Sequence, residues 1–178
     1  MKVTGAISPW YARISAENEI MLLLAKGDVP TAAKKYICCF SAAEEDKNNK
    51  ALFMEVSLLY QQNLFLDVIK KVEKTLDELQ QKGWNLLWIK LLPIYALSLQ
   101  ALGREAEAQQ ALEMCLAAAE PEGYVRMFVG GGAPMASLLK NLRSRGVRVE
   151  YITKLLTAFH LPEEAPKPGG NNTTPLRS

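Results

Sequence analysis

The sequence predicts an all-α protein: a superhelix of about three stacked helical hairpins, closed by a C-terminal helical cap. Apolar residues recur at intervals of three and four along most of the chain, which is the spacing of one helix face. Short turns separate the helical segments, and two of them, at Gly27 and Gly103, lie 76 positions apart, or two periods of about 38 residues. Because a single hairpin cannot bury its apolar face, hairpins that recur in this way are expected to stack.

The first hairpin is predicted from its turn. A helix over residues 10–26 ends at Gly27, a residue suited to the left-handed conformation that terminates many helices. Asp28 follows as a candidate N-cap, and Pro30 lies in the first turn of the next helix, which runs to about residue 43.

The second and third hairpins repeat this unit. Residues 51–62 form a helix, a turn follows near Asn63, and an amphipathic helix then carries Leu66, Ile69, Val72, Leu76 and Leu79. After a break at residues 82–83, a helix over residues 84–102 ends at Gly103, and residues 104–119 provide its partner. From these helix positions we predict three segments: an N-terminal extension at residues 1–9, a tetratricopeptide-like helical-repeat domain at 10–160 and a disordered linker at 161–178.

Composition, net charge and the length of the apolar runs argue against several kinds of protein. The chain has 178 residues, 49% of them apolar, and a net charge of +2, which suits one domain with a hydrophobic core and argues against a strongly basic nucleic-acid-binding chain. Its apolar runs are too short to span a bilayer, so we expect no membrane association. The N-terminus lacks the apolar core of a signal peptide, so we expect a cytoplasmic protein.

Metal and cofactor sites are not expected. The three cysteines, Cys38, Cys39 and Cys115, have no C-x-x-C spacing, and the only histidine is His160. Neighbouring residues on a helix point in different directions, so Cys38 and Cys39 are poorly placed to share a metal ion. With no nucleophile, base and orienting group at a recognisable spacing, we also expect that the chain is not an enzyme.

A binding groove is predicted from the architecture. In stacked hairpins the first helix of each pair lines the concave side. The groove walls are therefore expected to be formed by the helices that begin near Trp10, Lys47 and Trp84. The candidate residues for contact with a ligand or partner are Trp10, Arg13, Trp88, Lys90 and Tyr95. Trp88 and Tyr95 have an alternative role in the core, because aromatic residues at helical spacing more often pack than bind.

Residues 119–135, with the sequence AEPEGYVRMFVGGGAPM, separate the hairpins from the end of the chain. Phosphate-binding loops follow a strand and carry a nearby cation, whereas this glycine run follows a helix and its next lysine is Lys140. We therefore predict a helix end, followed by a new helix that begins near Pro134. Tyr124 and Phe128, four residues apart, are expected to share one face of a capping helix that plugs the stack.

Three segments carry a family resemblance: ALGREAEA at residues 101–108, LAAAEPEGYVRMFV at 116–129, and GAPMASLL at 132–139. They resemble the end of the helical-repeat region of large ATP-binding LuxR-type bacterial transcriptional activators, the family that includes the maltose-regulon activator. YITKLLTAF at residues 151–159 resembles the closing helix of that region. In that family the region joins a signal-dependent ATPase module to a C-terminal helix-turn-helix domain.

The sequence departs from this family pattern in three ways. It contains no G-x-x-x-x-G-K-[ST] phosphate loop and no helix-turn-helix after Phe159, and Gly130 and Gly131 stand where the family usually has an acidic residue. We therefore expect an excised or truncated piece of a larger regulator.

The resemblance implies a non-catalytic sensor or protein-interaction domain. A small-molecule inducer or a partner protein would occupy the groove and bias the parent regulator between inactive and self-associating states. DNA would be contacted only through a helix-turn-helix domain absent from this chain. The alternative is a ligand-free scaffold between the ATPase and DNA-binding modules. A basic cluster at Lys140, Arg143, Arg145, Arg148 and Lys154 is interpreted as a solvated surface, with phosphate contact as the weaker reading.

Overall fold

The protein is described from a computed structural model, which covers residues 9–40, 49–81 and 86–159. Within these ranges the chain is helical, and the predicted all-α class is confirmed. The helices are α1 Pro9–Ala25, α2 Val29–Phe40, α3 Asn49–Gln61, α4 Phe65–Gln81, α5 Leu86–Ala101, α6 Glu105–Ala119, α7 Arg126–Val129, α8 Gly132–Ser144 and α9 Val149–Ala158. The predicted break at residues 82–83 and the predicted extension and linker at the two ends, apart from Pro9, lie outside the described residues.

The helices pair as hairpins, and the hairpins stack. α1 packs on α2, α3 on α4, and α5 on α6. The first helices also pack on one another, α1 on α3 and α3 on α5, while α2 and α4 each pack on the first helix of the next hairpin. None of the helices in the described ranges combines the length and the apolar character needed to cross a bilayer.

The three hairpin turns share one hydrogen-bond pattern. At Gly27, Asn63 and Gly103 the backbone is left-handed, with φ of 77°, 60° and 75°. In each turn the next amide donates to the carbonyl five residues earlier, as Arg104 does to Leu99 at 2.9 Å. This is the Schellman arrangement, which satisfies the last carbonyls of a helix. The turns at Gly27 and Gly103 and the turn near Asn63 lie where the sequence predicts them.

The N-cap predicted at Asp28 is present. Its side-chain oxygen accepts a hydrogen bond from the Thr31 amide at 3.2 Å, which satisfies one of the unpaired amides at the start of α2. The same position at the third hairpin is Arg104, which makes no capping bond and instead donates to the Glu107 carboxylate from its Nε, at 2.7 Å.

α5 is the central helix of the stack. It packs against α3, α4, α6, α7 and α8, and most of its residues are buried, while Leu86, Lys90 and Ala101 are exposed. A helix that is apolar all round requires such surroundings. Pro93 lies inside α5 and has no amide hydrogen to donate to the Ile89 carbonyl. The thiol of Cys115, on α6, donates to that carbonyl at 3.5 Å.

The core consists of two clusters that meet at α3. Val56 belongs to a large cluster that continues through α4, α5 and α6 to the C-terminal helices. Met54 and Leu58, on the same helix, belong to a smaller cluster with α1 and α2. Because α3 contributes to both clusters, it couples the first hairpin to the rest of the stack.

The C-terminal cap is built around Phe128, which is fully buried and packs edge-to-face against Tyr151 at a ring-centroid distance of 6.4 Å. The prediction that Tyr124 shares its helix face is wrong, because α7 is a single turn that begins at Arg126. Gly123, with φ of 68°, ends the preceding segment, and the half-buried Tyr124 follows as non-helical backbone. The Tyr124 carbonyl accepts a hydrogen bond from the Tyr151 hydroxyl, which fixes α9 to this joint.

Candidate functional site

A groove of about 500 Å³ lies between the first helices of the three hairpins and α7. Its wall includes Met21 and Leu24 of α1, Phe53 and Ser57 of α3, and Lys90, Pro93, Ile94 and Leu97 of α5. Arg126 and Met127 of α7, together with Gly130 and Gly131, also line the groove. The first helix of every hairpin contributes, which is the arrangement expected from the sequence. The volume is in the range of small-molecule sites.

The groove wall is mainly apolar, and its few uncharged polar groups are partly committed to the protein. The Ser57 hydroxyl donates to the Phe53 carbonyl at 2.7 Å. The Gln61 amide donates to the Leu24 carbonyl at 3.2 Å, which ties the end of α3 to the end of α1. The wall therefore offers few free hydrogen-bond donors to a ligand.

Tyr60 also lines the groove, and its ring packs against Phe65 at a centroid distance of 5.7 Å. Burial raises the pKa of its phenol above the ordinary value of 10.0. The hydroxyl is therefore neutral at physiological pH and can donate a hydrogen bond.

Two charged residues line the groove among those that the structure describes, and both are cations. Lys90 and Arg126 come from different helices, α5 and α7, and both are exposed. The Lys90 ammonium lies 5.8 Å from the centroid of the Phe53 ring, within the range of a cation–π contact. Among the described residues no ion pair holds either cation, and the lining contains no carboxylate.

The residues predicted to contact a ligand do not all lie in the groove. Lys90 lines the groove. Trp88 is 4% exposed and belongs to the core, the second of the two roles left open for it. Trp10 and Arg13 lie in the first turns of α1, and their side chains fall outside the described part of the structure.

Tyr95 is half-buried and connects α5 to α4, because its hydroxyl donates to the Glu73 carboxylate at 3.0 Å. Burial, followed by the hydrogen bond and charge of Glu73, raises the pKa of Tyr95 to about 12. This residue is not part of the groove lining. Its contacts are those of a residue that joins neighbouring hairpins.

The groove also contains residues that sequence reasoning did not select, chiefly Phe53, Pro93 and Arg126. A proline inside a predicted helix is a visible signal, since proline is unusual there without a packing or functional reason. No periodicity places Arg126 beside α5, because Arg126 lies on a separate one-turn helix.

The remaining polar clusters stabilise the fold. Glu55 of α3 pairs with Lys71 of α4 and accepts a hydrogen bond from the Tyr36 hydroxyl of α2 at 3.4 Å. Burial, and then the charge of Glu55, raise the pKa of Tyr36 to about 12. This half-buried network joins the second helix of one hairpin to both helices of the next.

Two members of the basic cluster pair with α6 and the turn after it. Arg145 donates to the Gln109 side chain, and Arg148 pairs with Glu120. Both contacts connect the C-terminal helices back to the third hairpin. Lys140, Arg143 and Lys154 are exposed, as a solvated surface requires.

The described residues contain no group of three or more His, Cys, Asp and Glu side chains that could hold a metal ion. Burial raises the pKa of the Cys115 thiol to about 12, so this sulfur is protonated and unreactive in the folded protein.

Comparison with known proteins gives one match. The model of a family described as the MalT-like TPR region matches residues 3–145. The match covers all three hairpins, α7 and α8. Neither the curated proteins nor the solved structures give a match.

Proposed function

Because the chain belongs to the family of MalT-like TPR regions, we propose that it is the non-catalytic sensor domain of a LuxR-type transcriptional regulator. In this proposal a small-molecule inducer occupies the groove and changes the parent protein's tendency to self-associate. DNA is contacted by another part of that protein.

One observation carries the proposal: a largely apolar groove of about 500 Å³ whose wall is shared by all three hairpins and by α7. A ligand in this position contacts every repeat at once. It can therefore favour one relative arrangement of the hairpins over another, which is what a ligand-driven population shift requires.

The joint at α7 gives the groove a route to the C-terminal helices. Arg126, Met127 and Gly131 contribute to the groove, while Phe128, between them in sequence, packs against Tyr151 of α9. Because of this contact, a change in the position of α7 on ligand binding would also shift α9, the last helix of the described chain.

The experiment measures the thermal midpoint of the chain while sugars, other metabolites and small-molecule fractions of a cell extract are added. We expect a saturable rise with at least one compound, since a ligand that binds only the folded state stabilises it. Ala25→Phe, at an exposed alanine of the groove wall, should abolish the rise by filling the groove.

The matched control is Ala117→Phe, at an exposed alanine of α6 that is not in the lining. It should retain the full response. Absence of a saturable response to every compound and fraction would contradict the sensor proposal and favour the ligand-free scaffold. A response that survives Ala25→Phe would place the ligand elsewhere.

A further inference from the structure

We infer that the groove selects an amphipathic carboxylate, a molecule with one anionic group on an apolar body, of which a medium-chain fatty acid is the simplest example. The inference rests on the proposed function and specifies the chemical class of its ligand. It follows from the distribution of charge and polarity in the groove wall.

Charge complementarity is the first argument. Lys90 and Arg126 are the charged residues of the lining, both are cations, and no described carboxylate pairs with them. An anion beside either cation gains a charge-assisted interaction. A cationic ligand would meet two like charges and no compensating acid.

The apolar wall is the second argument. Leu24, Phe53 and Leu97 line the groove, and their side chains favour contact with an apolar part of a ligand. A sugar carries a hydroxyl on nearly every carbon, and each hydroxyl buried without a partner costs free energy. Because Ser57 and Gln61 already donate to backbone carbonyls, the groove offers few partners for such a ligand.

The contact between Lys90 and Phe53 is the third argument. The ammonium lies 5.8 Å from the ring centroid, which places the cation over an apolar surface of the groove rather than away from it. The boundary between the charged and apolar parts of the groove therefore falls at this pair. A ligand whose carboxylate lies at Lys90 can lay its apolar body along the wall beside Phe53.

The test is calorimetric titration of the chain with decanoate below its micelle concentration, in parallel with decanol as a neutral molecule of the same chain length. We expect saturable binding of decanoate and at least about tenfold weaker binding of decanol, from the loss of the interaction between the carboxylate and a cationic side chain. Decanoate binding should also weaken as salt is raised.

Variants locate the anion. Lys90→Met and Arg126→Met should each weaken decanoate binding between about three- and tenfold, and leave decanol binding unchanged. Both positions are exposed, so the substitutions should not unfold the protein, which circular dichroism checks. Lys140→Met, at an exposed lysine of α8 outside the lining, is the matched control and should bind decanoate as the unaltered chain does.

The outcomes separate this inference from the proposal on which it rests. Equal affinity for decanoate and decanol, or tight binding of a sugar that Ala25→Phe abolishes, would overturn the carboxylate assignment and leave the sensor function in place. No saturable binding of decanoate, together with no response to any metabolite or extract fraction, would overturn both.

Discussion

Cys115 compensates for a backbone hydrogen bond that Pro93 cannot make. Pro93 is buried in the middle of α5, and the Ile89 carbonyl, which would accept a helical hydrogen bond from an amide at that position, accepts instead from the Cys115 thiol at 3.5 Å. An unpaired buried carbonyl is unfavourable, so the thiol has a structural role as a donor. The proline is evident in the sequence, but the thiol that donates to the Ile89 carbonyl is 26 positions from Ile89 and can be identified only from the fold.

The three thiols should differ in reactivity. Cys38 and Cys39 are exposed, while Cys115 is fully buried and has a pKa of about 12. A thiol-reactive disulfide reagent at neutral pH should therefore modify Cys38 and Cys39 rapidly in the native chain, and Cys115 only in denaturant. The variant Cys115→Ala identifies the slow thiol. Rapid reaction of all three in the native protein would contradict the burial of Cys115.

Phe128 should be the most costly residue of the cap to truncate. It is fully buried and contacts the Tyr151 ring, so Phe128→Ala should lower the free energy of unfolding by about 3 to 5 kcal/mol. Chemical denaturation measures this. The control Met114→Ala, at a side chain that is 41% exposed, should change stability by no more than about 0.5 kcal/mol. Equal stability of the two variants would show that Phe128 does not plug the stack.

At the scale of elements, the hairpin turns were predictable and the joint around α7 was not. The conformation of Gly27 and Gly103 follows from local chemistry, because glycine adopts a positive φ without steric cost and ends a helix. The extent of α7 depends instead on its contacts with α5, α8 and α9. No local pattern distinguishes a one-turn helix from a longer one, so the prediction that Tyr124 belongs to this helix is wrong.

The glycines of the joint should not be equivalent. A Cβ at Gly131 would lie 2.6 Å from the Met135 Cβ and 3.2 Å from Leu97 Cδ1, whereas a Cβ at Gly130 would have no neighbour within 4 Å. Gly131→Ala should therefore cost about 1 to 3 kcal/mol of unfolding free energy. Gly130→Ala, whose φ of −58° suits alanine, should be neutral or slightly stabilising. Denaturant titration compares them, and equal values would contradict the close approach at Gly131.

At the scale of the whole molecule, periodicity predicted the stack and the helices that form the groove, but not the groove's composition. Lys90 was selected from its place on a first helix, and it lines the groove. The same reasoning selected Trp88, which is core, because periodicity gives the face of a helix only when one face is exposed. α5 is apolar along most of its length and largely buried, so its sequence shows little of this contrast.

The stack should lose stability at alkaline pH. Burial is the largest cause that raises the pKa values of Tyr36, Tyr95 and Tyr151 from 10.0 to about 12. Neighbouring ionisable groups add to it: Glu55 at Tyr36, Glu73 at Tyr95, and Cys115 and Glu120 at Tyr151. Since the unfolded chain ionises first, the stabilising contribution is complete below pH 10 and is lost as the pH rises toward 12.

Denaturant titration at a series of pH values measures this loss. Replacing Tyr36 and Tyr95 together by phenylalanine should reduce the slope of stability against pH above pH 10. An unchanged slope would indicate that the two phenols ionise alike in the folded and unfolded states.

Methyl NMR during titration with decanoate tests whether the groove between the first helices and α7 is a ligand site. We expect saturable shifts of the methyl groups of Met21, Leu24 and Met127, which line the groove, with little change at Leu142, which is fully buried in α8 outside it. Shifts confined to methyl groups outside the groove would contradict this assignment, as would the absence of a saturable methyl shift both with decanoate and with every compound that raises the thermal midpoint.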